Sequence, residues 1–323
     1  MKLATVVAAV AFLAACGSNS EFKNSLPNTD TVKVKVPQAS GQALQTQTQT
    51  QGLLGQTAAL YQFTVDVSGM LNGATANLLN MIQTVTTYPP TSETTNGAVW
   101  GPFTDPLSPN TYKLTVTKTA PGTYTYELDG KPKTQPDSAF LALVTGQSEP
   151  TADGHGEPVP GFGSGSFTLN WDNAHTLPQN DGNVGTAAFQ YSHPGPSADA
   201  TVDITFTNVL DKSSGQLINA KYAYLATAAN GGKFQFSEDK DVITGPNGAE
   251  HWTVESRWEQ SGAGRADAKL TGGDVPNPPG QATANECWDT NFLSIYLNAS
   301  YDPTLDYGQE SVCAFIPAEY SSL

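Results

Sequence analysis

Positive charge is scarce in this chain. Lys and Arg number 15 against 30 Asp and Glu, a formal net charge of −15, and no basic run occurs anywhere. Nucleic acid and anionic lipid heads are held through basic clusters, so this balance makes the chain a poor partner for either. Arginine is scarcer still, with only Arg257 and Arg265. The usual catalytic signatures are missing too. Phe162 and Ser166 flank Ser164 where a nucleophile elbow needs glycines, and there is no His-Glu-x-x-His, Walker loop or dinucleotide fingerprint. These absences remove the ordinary reasons to propose an enzyme, although a spatial triad leaves no such mark.

What is present begins at the N-terminus. Met1 and Lys2 precede Leu3 to Ala15, a run without charge, and Leu13-Ala14-Ala15-Cys16-Gly17 closes it. A basic start, an apolar middle and small residues at a cut form a secretory signal, and the run is shorter than the roughly 20 residues that span a bilayer. The cysteine directly after Leu-Ala-Ala resembles a bacterial lipobox. That resemblance implies a signal peptide over 1–15, cleavage before Cys16, a thioether-linked diacylglycerol on its sulfur and acylation (palmitate or a similar chain) of the new amino end. Two or three acyl chains hold firmly where one is marginal. Gly17, in place of an Asp, implies by the same resemblance the outer membrane of a Gram-negative cell, on its periplasmic face or its surface, with retention at the inner membrane as the less favoured alternative. Loss of Lys2 with the signal takes the net charge from −15 to −16.

With Cys16 assigned to lipid, Cys287 and Cys313 remain, an even pair in an exported, oxidising setting. A disulfide is expected there, worth about 3–4 kcal/mol in the chain-entropy model for a loop of about 25 residues. Free thiols or a metal pair are the alternatives, but zinc wants four ligands and no Cys or His lies at finger spacing.

Residues 16–59 read as a lipidated start and a flexible tether. Gln45 to Gln51 alternates Gln and Thr with no apolar face, and Thr31 to Val36 alternates like an isolated strand before Pro37. At 5–6 Å times the square root of 40, such a leash holds its domain roughly 35 Å from the anchor. A helix is expected over 69–87. Leu71, Ala74, Leu78, Ile82 and Val85 share one face, Ser68 caps the start and Pro89-Pro90 forces the end.

After Pro90 the period becomes two. Tyr112-Leu114-Val116, Tyr124-Tyr126-Leu128, Phe167-Leu169-Trp171, Val202-Ile204-Phe206 and Phe234-Phe236 are examples, separated by Pro121-Gly122, Asp129-Gly130 and Gly231-Gly232. The fold class is therefore mainly β. One domain over 60–323 is expected, a large curved antiparallel sheet or partly open barrel packed on the helix, with a C-terminal segment stapled by the disulfide. A transmembrane barrel is disfavoured, because a lipid anchor would be redundant.

Both arginines fall between Glu250 and Asp274. A hairpin turn centred on Ser261 sets Arg257 opposite Arg265 and Glu255 opposite Asp267, all four on one face. Trp252, Val254 and Trp258 go to the other face, opposite Leu270, Ala268 and Gly264. The four charged residues are either an ion network or an anion site, since Arg offers a bidentate fork. Two acid-rich loops contain a histidine, Asp153/His155/Glu157 and Asp172/His175/Asp181, but nothing orients them and no metal site is assigned. His193 and His251 read as a turn and a strand residue. Aromatics beside both cysteines predict that the disulfide packs into the core. Arg257-Trp258, Gly262 to Asp267 and the cysteine pair loosely resemble uncharacterised Gram-negative outer-membrane lipoproteins, a likeness that implies no activity.

The expectation is a lipid-anchored envelope protein acting as a binding or structural module. It has no cofactor beyond the lipid on Cys16 and no nucleic-acid partner, and its partners are the membrane and an envelope protein or an apolar ligand. A carrier of an apolar or lipid ligand between sheet and helix is the first alternative, and a hydrolase with an unrecognised site is the second.

Overall fold

The computed structural model describes residues 18–38, 54–104, 106–212, 214–276 and 278–323. The signal, Cys16 and the Gln-Thr tract lie outside them, as do the side chains of Ala74 and Leu78. Among the described residues, fifteen strands form one open antiparallel sheet in strict chain order. The strands begin with β1 (Ser92–Thr94), β2 (Gly97–Phe103), β3 (Asn110–Ala120), β4 (Thr123–Pro132), β5 (Leu141–Ala152), β6 (Pro158–Asn170) and β7 (Thr186–His193). They continue with β8 (Ala200–Leu210), β9 (Leu217–Ala226), β10 (Gly232–Lys240), β11 (Glu250–Trp258) and β12 (Gly264–Gly272). The last are β13 (Gln281–Trp288), β14 (Ser294–Ala299) and β15 (Tyr307–Gly308).

Because every neighbour is antiparallel, successive connections gather at opposite ends. At one end they are short, as at 95–96, 121–122 and 227–231. At the other they are longer, as at 133–140, 171–185 and 241–249. We call these the turn end and the loop end. The period-two apolar positions on the strands face inward, whereas Trp171, expected as the last of the Phe167-Leu169-Trp171 series, opens a short helix over Trp171–His175. Trp100, Leu114, Val116, Leu128, Phe167, Ile204 and Phe234 are buried in one core. Gly146 and Gly165 lack side chains where the rings of Tyr126 and Tyr191 lie across them; a Cβ would come within 2.4 Å of Tyr126 and 2.6 Å of Tyr191.

The helix α3 (Ala59–Val85) fills the hollow of the sheet. It starts ten residues before the expected position, and Ser68 is not its cap. The buried stripe runs Tyr61, Thr64, Val65, Ser68, Leu71, Thr75, Leu79 and Ile82, so its first half alternates apolar and hydroxyl side chains. Thr64, Ser68 and Thr75 each donate to the carbonyl four residues back, at 2.8, 2.6 and 2.8 Å, which lets a hydroxyl be buried without an unpaired group. Tyr61 stacks on Phe292 at 4.5 Å, Phe63 lies against Phe236 and Trp252, and the hydroxyls of Thr64 and Ser256 meet.

The expected leash is overturned for residues 18–38, which fold onto the sheet. They form α1 (Ser18–Asn24) and α2 (Thr29–Val32), with Asn28 capping the latter in a reciprocal box with Thr31. Phe22, Leu26, Val32 and Val34 enter the main core. Burying a side chain such as Phe22 stabilises by about 1.5–3 kcal/mol, and four such side chains with the hydrogen bonds to α3 and the sheet hold a segment that shows no single period of its own. Val34 exchanges both backbone hydrogen bonds with the Asn72 side chain of α3.

Candidate functional site: a charge network under the C-terminal strap

The hairpin of β11 and β12 turns through Glu259–Ala263, and its register pairs Arg257 with Arg265 and Glu255 with Asp267. Trp252, Val254 and Trp258 pair with Leu270, Ala268 and Gly264. All four charged side chains therefore point to the outer face, yet all four are buried. What covers them is the last stretch of the chain. After β15 the chain turns back over the outside of β13, β12 and β11, and residues 309–323 form a strap.

Arg265 donates from Nε to Asp267 at 2.7 Å and from Nη1 to Glu310 at 2.7 Å and the carbonyl of Phe315 at 3.1 Å. Arg257 donates from Nη2 to Asp267 at 2.9 Å and to the carbonyl of Pro317 at 3.2 Å, and its Nη1 lies 2.8 Å from Glu319. Its guanidinium sits over the Phe315 ring. Lys233 on β10 pairs with Glu255 at 2.8 Å, and the backbone N–H of Glu319 donates to Asp267. Three cations thus face four carboxylates. Burial pushes the carboxyl of Asp267 up, against the pull of Glu319 N–H and both arginines. Burial alone would lower Arg265, but its bonds to Asp267 and Glu310 raise it, so the guanidinium stays charged.

The disulfide Cys287–Cys313 joins this network to the strap. Its place corrects the expectation that it packs into the core. Cys287 pairs with Arg265 and Tyr296, so it lies on the outer face, buried by the strap, while its neighbours Glu286 and Trp288 point inward.

Sequence reasoning missed two other carboxylates, both completely buried. Glu286 accepts from the Leu60 N–H at 2.7 Å and the Ser294 hydroxyl at 2.7 Å, and so caps the start of α3 from the sheet. Burial pushes its pKa up. Glu250 accepts from the N–H groups of Val242, Ile243 and Asp274 at 2.8, 3.0 and 2.7 Å. Burial would raise it, but those three donors and its own backbone N–H outweigh burial and hold it below the usual range. Both act as fixed acceptors for backbone that has no sheet partner.

The histidine loops converge on nothing. Asp153 accepts from the N–H of His155 and Glu157, which shapes its own turn. Asp172 binds the N–H of Gly185, and Asp181 binds Asn183. His193 packs edge-on against Phe162, and His251 pairs with Asp239 at 2.7 Å at the surface. Among the described residues, no group of three His, Cys, Asp or Glu is placed to hold a metal ion. A pocket beneath Leu26 and Ser148 holds about 10 Å³. A larger groove of about 460 Å³ is open to solvent along the outside of β5–β8, between Gln147, Glu149, Ser166, Gln190 and Asp203. Its hydroxyls, amides and carboxylates can hydrogen-bond a polar ligand.

No protein-family model matches the chain, and no curated protein or solved structure matches it either.

Proposed function

We propose that this chain is a lipid-anchored protein of the bacterial outer membrane that works there as a binding or structural module. The observation that carries the reading is the run Met1 to Gly17, where a charge-free apolar stretch ends in Leu13-Ala14-Ala15-Cys16. The anchor supplies the address, and the folded part supplies a packed sheet whose C-terminal strap is stapled by the disulfide.

The packing supports a module over the two alternatives. A carrier needs an apolar cavity of a few hundred Å³. Here α3 and residues 18–38 occupy the hollow of the sheet, and the 460 Å³ groove lies on the polar outer face. A hydrolase needs a base, an orienting acid and a nucleophile together in one cleft. The closest His–acid pair, His251 with Asp239, is exposed, and no nucleophile is among its bonded partners. The arginine pair serves as a latch for the strap. Its three cations are outnumbered by their own carboxylates, which leaves no surplus positive charge for an outside anion.

Intact mass and peptide mass spectrometry of the protein extracted from membranes tests the reading. The expected result is an N-terminus at Cys16 carrying diacylglycerol and an N-acyl chain, with no co-purifying lipid in stoichiometric amount. A chain that retains residues 1–15, or carries an unmodified Cys16, contradicts it. A stoichiometric apolar ligand would favour the carrier.

A further inference from the structure

Residues 18–38 cross the turn end of the sheet from one side to the other. Glu21 accepts from Lys118 and from the Tyr124 hydroxyl, beside the tight turn at 121–122. Asn28 lies against Gly161, near the start of β6, and the carbonyl of Lys35 accepts from Tyr224 near the end of β9 at 3.1 Å. The carbonyl of Pro37 accepts from Tyr61 in the first turn of α3 at 2.9 Å. Together these contacts make a lid over the turn end, with Phe22, Leu26, Val32 and Val34 plugging the core beneath it.

Cys16 precedes Glu21 by five residues, which span at most about 17 Å when fully extended. The fixed point of the chain and its proposed lipid are therefore close together, where a 40-residue leash would allow roughly 35 Å. Resting on the lipid anchor proposed above, we infer that the protein sits with its lid and turn end against the bilayer. Its loop end then points away from the membrane. The longest strand, β6, has 13 residues, so at about 3.3 Å per residue the loops stand roughly 40 Å above the lid. Any protein partner meets the loop end and the flanks, and the lid is the membrane-contact surface.

Covalent attachment sets this orientation, not net charge. The lid exposes Lys23, Lys33 and Lys35 beside Asp30, while the neighbouring turns carry Asp153, Glu157 and Asp199. Opposite charges at one end leave little net attraction to either sign of head group.

The chain's own lysines report the outcome. Lys23, Lys33 and Lys35 are exposed at the lid, and Lys133 and Lys212 are exposed at the loop end. The lipidated full-length protein is placed in phosphatidylcholine vesicles and treated with a water-soluble amine reagent, then digested for mass spectrometry. An unlipidated Cys16→Ser chain in solution is the reference. The expected result is labelling of Lys23, Lys33 and Lys35 slowed several-fold in vesicles, with Lys133 and Lys212 unchanged, and the same pattern in 0.5 M salt. Equal labelling at both ends, or protection at Lys133 and Lys212, overturns the orientation when the same digest shows an acylated Cys16. A digest with unmodified Cys16 overturns the anchor itself.

Discussion

Arg257 stands directly opposite Arg265 across β11 and β12, and the carboxylate of Asp267 receives both. Two like charges side by side are held together by one buried anion between them and by Glu310 and Glu319 from the strap. Removing one member of such a buried set strands the others. Arg265→Met is expected to cost about 3–5 kcal/mol, because Asp267 loses a partner inside the protein. Arg257→Met should cost less, since Arg257 keeps 7% of its surface in solvent while Arg265 keeps none, and Glu255 retains Lys233. Urea denaturation of both variants checks the order, and equal small losses would contradict it.

The disulfide and the ion network secure the same strap by different means. The Cys287→Ala/Cys313→Ala double variant should lose about 3.5 kcal/mol, the chain-entropy value for a bridge between residues 26 apart. Hydrogen exchange should rise over 309–323 and at β15 while β3–β8 stay protected. An unchanged strap would mean that the arginines alone hold it.

Glu250 predicts a pH dependence with a definite sign. Its folded pKa lies below the ordinary value of 4.5. The ionised form therefore contributes stability that is complete above pH 4.5 and is lost as pH falls through the depressed folded value. Replacing it by Gln puts an amide group where N–H groups of Val242, Ile243 or Asp274 must donate. Glu250→Gln should cost about 1–3 kcal/mol at pH 7. It should also flatten the slope of stability between pH 5 and 3. Parallel slopes for the two proteins would remove Glu250 from the acid transition.

Glu286 has the opposite sense, because burial raises its pKa. Here the useful substitution is Glu286→Ala, which leaves the Leu60 N–H unpaired while the Ser294 hydroxyl keeps its bond to Tyr307. The expected loss is about 1–3 kcal/mol, with faster amide exchange in the first turn of α3. An equal change along the whole helix would show that the cap is not local.

The sheet was legible because two forces agreed. Alternation along strands such as Tyr112-Leu114-Val116 marks an inward face, and turns such as Pro121-Gly122 mark where it reverses, although Asp129-Gly130, expected as a turn, runs inside β4. The arginine register followed from the same arithmetic, since a turn centred on Ser261 leaves one pairing. The start of α3 was not legible, because Thr64 and Ser68 continue the buried stripe with hydroxyls that a search for apolar spacing passes over. The lid was not legible for a different reason. Phe22, Leu26, Val32 and Val34 follow no single period, and Glu21 finds its partners about a hundred residues away at Lys118 and Tyr124. The strap likewise shows no pattern. Glu310 and Glu319 lie 45 and 62 residues beyond the arginines they pair with, too far along the chain for any local spacing to link them.

Everything proposed about place and orientation passes through the sulfur of Cys16, and metabolic labelling with a palmitate analogue measures it most directly. The wild-type chain should incorporate label and fractionate with membranes, whereas Cys16→Ser should incorporate none and remain soluble or unprocessed. If the serine variant, trimmed of residues 1–15, reached the membrane fraction in equal amount, the lipid would not be what holds this protein there.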